Sequence, residues 1–80
     1  MTAKQIDPLV AQLRAIRREH GLSLQQVAER MGRASYQSVW QWESGASEPR
    51  VGNLREWAAA LGYDLALSYG LTSVVRVGGS

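Results

Sequence analysis

A mainly helical domain of four or five short helices, followed by a β-strand or hairpin, is the fold that this 80-residue sequence predicts. Three observations predict it. Between Pro8 and Leu61 apolar residues recur at spacings of three and four, the mark of helices that bury one face. Glycines at 21, 32, 45 and 62 punctuate those runs where a helix would end. Beyond Gly62 the apolar period switches to two, as in a half-buried strand.

The elements follow in order. Residues 1–6 read as a flexible arm. Asp7 is a good N-cap and Pro8 suits the first helical position, so a first helix starts there. Leu9, Leu13, Ile16 and His20 form its expected buried stripe, and Gly21 ends it. Ser23 and Gln26 make a capping box for a second helix, which buries Leu24, Val27, Ala28 and Met31 and closes at Gly32. Ser35 is the expected cap of a third helix running through Trp42 or Glu43 until Gly45. A fourth covers roughly Val51 to Leu61, burying Leu54, Trp57, Ala58 and Leu61, with Arg50 a poor cap. Tyr63, Leu65, Leu67 and Tyr69 then alternate with Asp64, Ala66 and Ser68, and Ser73 to Val77 offers a weaker second strand. A lone strand is marginal in water, so residues 63–80 are expected to hold a dimerisation element and a loose tail. The natural partner for Tyr63, Leu65, Leu67 and Tyr69 is the same strand of a second copy.

Composition narrows the chemistry. With no cysteine, disulfides and thiolate metal sites are excluded, and a single histidine, His20, leaves no metal site and no cofactor expected. Asp64 and Glu56 are isolated carboxylates, so no catalytic constellation forms and an enzyme is not expected. No apolar run approaches a membrane span and no signal-peptide core is visible, so the expectation is a cytoplasmic protein with no membrane partner. The net charge is only +2, but its placement is informative: Arg14, Arg17 and Arg18 cluster on the first helix, and Arg30, Arg33 and Arg50 lie around the middle of the chain.

Turning about 100° per residue from Tyr36 sends Val39 and Trp42 to one side of the third helix. Gln37 and Gln41 go to the other, flanked by Trp40 and Tyr36. A glutamine amide can pair bidentately with adenine in the DNA major groove, whereas on an arbitrary helix such residues are simply solvated. Ser38 and Tyr36 stand at the leading edge, where a hydroxyl reaches a base or a phosphate. Trp40 either meets a thymine methyl or the sugar-phosphate, or packs against the following loop. Trp42 and Trp57 sit on buried stripes and read as core.

The ordered set Gly21-Leu22, Val27-Ala28, Met31-Gly32, Val39, Trp42-Glu43, Gly45, Pro49 and Ala60-Leu61-Gly62 resembles the phage-repressor and Cro-like helix-turn-helix family, also called xenobiotic-response-element-like. The likeness spans residues 9–62, about two thirds of the chain. It implies a lambda-repressor-like helix-turn-helix domain at residues 7–62, with the third helix as recognition helix. In that setting Gln37, Gln41, Ser38, Tyr36 and Trp40 become the base-reading candidates. It further implies that Arg17 pairs with Glu43, setting the angle between helices and holding Arg17 near a phosphate. Other phosphate contacts fall to the backbone near Ser23 and Leu24, where amides and the helix dipole favour an anion, and to Ser44, Ser47, Arg33 and Arg50.

Several positions depart from the family pattern. Leu24 stands where many relatives have glutamine, and Ala46 and Ser47 where relatives often have lysine or arginine, a loss for which Arg33 and Arg50 compensate. One additional residue separates Gly32 from Trp42, and a strand replaces the common fifth helix.

The implied function is a sequence-specific DNA-binding transcriptional regulator, a repressor acting as a homodimer on a near-palindromic operator in double-stranded DNA. Two alternatives stand beside it. An antitoxin would bind DNA and a toxin protein, and several antitoxins have this size and end in a strand. A protein-interaction adaptor would keep the helices without binding DNA, and predicts an acidic or plain outer face on the third helix. That face is polar, aromatic and free of carboxylates until Glu43.

Overall fold

A computed structural model describes residues 6–68 and 71–76. Within them lie four helices, α1 (Pro8–Glu19), α2 (Leu24–Arg30), α3 (Gln37–Ser44) and α4 (Val51–Ala60), then two strands, β1 (Tyr63–Ser68) and β2 (Leu71–Arg76). Each helix starts for a local reason. The Asp7 carboxylate accepts the Leu9 amide at 2.8 Å, and Pro8 fills the first turn of α1, where its missing N–H costs nothing. At α2 the capping box closes in both directions: the Gln26 amide donates to Ser23 Oγ at 3.0 Å and the Ser23 amide to Gln26 Oε1 at 2.8 Å.

The third helix departs slightly from its expected bounds. Tyr36, not Ser35, occupies the N-cap position, and it supplies no side-chain cap. Ser35 acts from one residue further out, its hydroxyl accepting the Gln37 amide at 3.2 Å. At the other end Gly45 takes a φ of 82°, a left-handed conformation that a side chain would strain. That reversal folds the Ala46 and Ser47 amides back onto the Gln41 carbonyl, at 2.9 and 3.3 Å. Arg50 precedes α4 without capping it, as its side-chain chemistry predicts.

The core gathers Val10 and Leu13 from α1, Val27 and Ala28 from α2, Val39 and Trp42 from α3, and Leu54, Trp57, Ala58 and Leu61 from the end of the helical chain. Trp42 and Trp57 meet at its centre, their rings 5.6 Å apart and tilted by 35°. On α1 the buried stripe is rotated from its expected position. Val10 and Leu13 are buried, Leu9 and Ile16 are half-buried, and His20 is exposed as the C-cap residue, where its ring lies 6.4 Å from that of Tyr63. The short turn to α2 carries His20 off the core edge, so the stripe ends one turn early.

The tail resolves the strand's need for a partner within the chain. β1 pairs antiparallel with β2 over its whole length, from Tyr63 opposite Arg76 to Ser68 opposite Leu71. The second strand therefore begins at Leu71, two residues earlier than its apolar pattern implies, and Val77 lies outside the described residues. Tyr63, Leu65 and Val74 point back onto the helical core and are half-buried there. The expectation that β1 must wait for a second copy to be hydrogen-bonded is thus overturned: six residues of its own chain satisfy one edge. Among the described helices none is long and apolar enough to cross a membrane.

Candidate nucleic-acid interface

The end of α3 is held by two arginines of α1. Arg17 donates from Nε to Glu43 Oε2 at 2.7 Å and from Nη2 to Glu43 Oε1 at 2.8 Å, a bidentate pair, while its Nη1 reaches the Leu22 carbonyl at 2.7 Å. Both side chains are largely withdrawn from water, 13% and 8% exposed, so the pair is screened little by solvent and its planar geometry fixes an angle as well as a distance. Arg14 adds a bond from Nη1 to the Glu43 carbonyl at 3.2 Å, a cation placed at the negative end of the α3 dipole. The pairing implied by the family resemblance is therefore present. It uses two of the five donors of Arg17, and the bond to the Leu22 carbonyl uses a third.

With its inner face buried through Val39 and Trp42, α3 turns Gln37, Trp40 and Gln41 outward, and Tyr36 precedes them at the leading edge. Trp40 is 51% and Tyr36 45% exposed, so each presents about half of its surface to solvent. Ser38 is half-buried. Together with Leu24 from the start of α2, the residues Tyr36, Gln37, Trp40 and Gln41 line an open concavity of about 620 Å³. A second concavity of about 270 Å³ lies beside it, lined by Arg14, Arg17, Arg18, Trp40, Glu43 and Ser44 as well as Leu24. Leu24 and Trp40 belong to both and form the wall between a neutral hollow and a basic one.

The residues expected at phosphates divide into two groups. Ser23 and Leu24 sit at the start of α2, where the capping box already takes the Ser23 and Gln26 amides. Ser44 donates its hydroxyl to the Gln41 carbonyl at 3.1 Å, and Ser47 and Arg50 are exposed in the loop and at the start of α4. Arg33 is elsewhere. Its Nη2 donates to Asn53 Oδ1 at 2.9 Å and lies 3.5 Å from the Glu56 carboxylate, and its guanidinium stacks 5.3 Å over the Trp42 ring. It links the turn before α3 to α4, through Asn53 twenty residues further along the chain and Glu56 beyond it, rather than standing free for a phosphate. Arg14 and Arg18 are the reverse case. Their spacing from Arg17 marks a cluster on α1, but only the packing of α1 against α3 opens that cluster beside Trp40.

The strand residues expected at a dimer contact are partly accounted for. Tyr63 and Leu65 are half-buried against their own helices, the backbone of Leu67 lies in β1 while its side chain is outside the described residues, and Tyr69 lies outside them altogether.

Residues 13–67 match the model of a family described as helix-turn-helix. No curated protein and no solved structure matches the chain.

Proposed function

The chain belongs to the helix-turn-helix family of DNA-binding transcription regulators, and from that premise we propose that it is a repressor that binds a near-palindromic operator as a homodimer, with α3 of each copy in the major groove. One observation carries this reading. The bidentate Arg17–Glu43 pair holds α3 rigidly from behind while Gln37 and Gln41 face outward on a surface without carboxylates. A reading helix needs both properties, since base discrimination depends on hydrogen-bond geometry. Arg18 and Arg14 in the basic concavity, with Ser47 and Arg50 beyond the far end of α3, are the phosphate ligands in this reading; the backbone near Ser23 and Leu24, with Ser44, completes the set.

The dimer contact is assigned to residues 63–69. A two-stranded sheet leaves one edge of each strand unpaired, and pairing like edges across a two-fold axis satisfies their backbone groups.

Selection of bound fragments from random double-stranded DNA tests the whole reading. The expected result is enrichment of two inverted half-sites about 34 Å apart, one helical turn. A single asymmetric site would remove the homodimer, and no enrichment would remove sequence-specific binding. On the selected site, Gln37→Ala and Gln41→Ala should each cost about 1–3 kcal/mol of discrimination. Affinity for random DNA at the same salt should stay within twofold. Equal losses on both would show that neither amide reads bases.

Salt dependence separates the arginines. Log affinity should fall linearly with log salt, and Arg18→Ala and Arg50→Ala should each reduce the slope by about 0.9. Arg33→Ala should leave the slope unchanged while lowering thermal stability, because its partners lie on α4. A slope change for Arg33→Ala equal to that for Arg50→Ala would return Arg33 to the DNA surface.

A further inference from the structure

Where the C-terminal end of α3 meets the start of α1, the surface encloses a cavity of about 260 Å³. Val10 and Trp42 are its most buried lining residues, 2% and 6% exposed, and Ile6 and Pro49 add apolar surface around them. An adjoining recess of about 50 Å³ continues it toward Leu54. Two carboxylates, Asp7 and Glu48, line both spaces, and no lysine or arginine lines either. One oxygen of Asp7 accepts the Leu9 amide. Its other oxygen and both of Glu48 meet no donor and no cation among the described residues, whereas Glu43 and Glu56 each meet an arginine.

We propose that this cavity binds a small organic ammonium ion, which acts as an effector of the loop between α3 and α4. The ammonium group meets the Asp7 and Glu48 carboxylates, and its apolar body lies over Val10 and Trp42. Three features select that chemistry. Two carboxylates without a counter-charge favour a cation, and the negative end of the α3 dipole, at the cavity-lining Gly45, adds to them. A metal ion is disfavoured, since it takes several oxygen ligands and no third acidic group or histidine joins these two among the described residues. The apolar lining matches a hydrocarbon body, and the volume lies just below the about 300 Å³ at which pockets for drug-sized ligands begin, so the occupant is small. The site stands apart from the DNA-binding reading, while the effector role rests on it. Ser47 lines the cavity, and Glu48 lies in sequence between Ser47 and Arg50, two phosphate ligands of that reading. A carboxylate there repels the DNA backbone and a bound ammonium offsets it, so amine and DNA strengthen each other's binding.

Titration of the full chain with 2-phenylethylammonium, followed by amide NMR shifts, tests the site. The expected result is saturable shifts at Ile6, Val10 and residues 45–48, with a dissociation constant of about 1 mM or below. The alcohol 2-phenylethanol keeps the ring without the charge and should bind about tenfold more weakly. Asp7→Asn and Glu48→Gln should each weaken the amine about threefold. Asparagine caps a helix as well as aspartate, and Glu48 is exposed, so both variants keep the fold. Shifts centred on Tyr36 and Trp40 instead, equal affinity for the alcohol, or no saturation by about 10 mM would each overturn the site. Binding seen only with Lys4→Ala also overturns it, by assigning the cavity to the ammonium of the chain's own Lys4, which precedes Ile6 by two residues. Affinity for a duplex of random sequence tests the effector role. Saturating amine should raise it about threefold for the native chain and leave it unchanged for Glu48→Gln. An unaltered duplex affinity overturns that role while the shifts uphold the site. A chain that binds no duplex at all overturns the DNA-binding reading itself.

Discussion

Glu43→Ala should destabilise the domain by about 3–5 kcal/mol, because it strands the Arg17 guanidinium where water reaches it poorly. Arg17 is only 13% exposed at its side chain, and the two carboxylate oxygens of Glu43 take two of its bonds at 2.7 and 2.8 Å. A domain of this length has a total stability of about 4–12 kcal/mol, so the loss approaches unfolding. Urea melts followed by far-ultraviolet circular dichroism would measure it. A loss below about 1 kcal/mol would mean that the pair behaves as an exposed surface bridge. The size of the loss is a cost of unpairing, not the net worth of the pair. Replacing both partners together, Arg17→Met with Glu43→Leu, should therefore recover much of the stability. DNA affinity should not recover with it, since apolar side chains restore burial but not the fixed angle of α3 to α1. Recovery of both would show that the pair contributes stability alone.

Trp57→Ala is expected to cost about 3–5 kcal/mol by removing the largest fully buried side chain. Trp57 is 0% exposed and its ring lies 5.6 Å from that of Trp42, so its loss opens a cavity behind α3. Its indole Nε1 is buried with no acceptor among the described residues, which makes the variant series informative. Trp57→Phe gives up one ring but also removes a buried unsatisfied donor whose desolvation costs about 1–3 kcal/mol. It should therefore lose far less stability than Trp57→Ala, and the two melts together measure packing against polarity. A phenylalanine variant as unstable as the alanine one would show that the indole N–H has a partner worth keeping. Because Trp42 shares α3 with Gln37 and Gln41, Trp57→Ala should also weaken DNA discrimination at temperatures where the domain remains folded.

Read from its residues alone, the chain already declares its helices, the caps of α1 and α2, the glycine that ends α3 and the face of α3 that looks outward. Asp7-Pro8, the Ser23–Gln26 box and Gly45 act within three or four residues of themselves, and the burial of Val39 and Trp42 against the exposure of Gln37 and Gln41 follows from helical period. The pairing of Arg17 with Glu43, 26 residues apart, became legible only through family resemblance, because periodicity does not reach across a turn. Tertiary packing decided the rest. It turned Arg33 onto Trp42 and Asn53, opened Arg14 and Arg18 beside Trp40, left His20 in solvent, and let β2 satisfy the edge of β1. An arginine has a long stem and no local preference strong enough to fix its direction. Its destination is set by whichever carboxylate, carbonyl or ring the assembled helices bring within reach, and a strand's partner by whichever edge arrives with matching register.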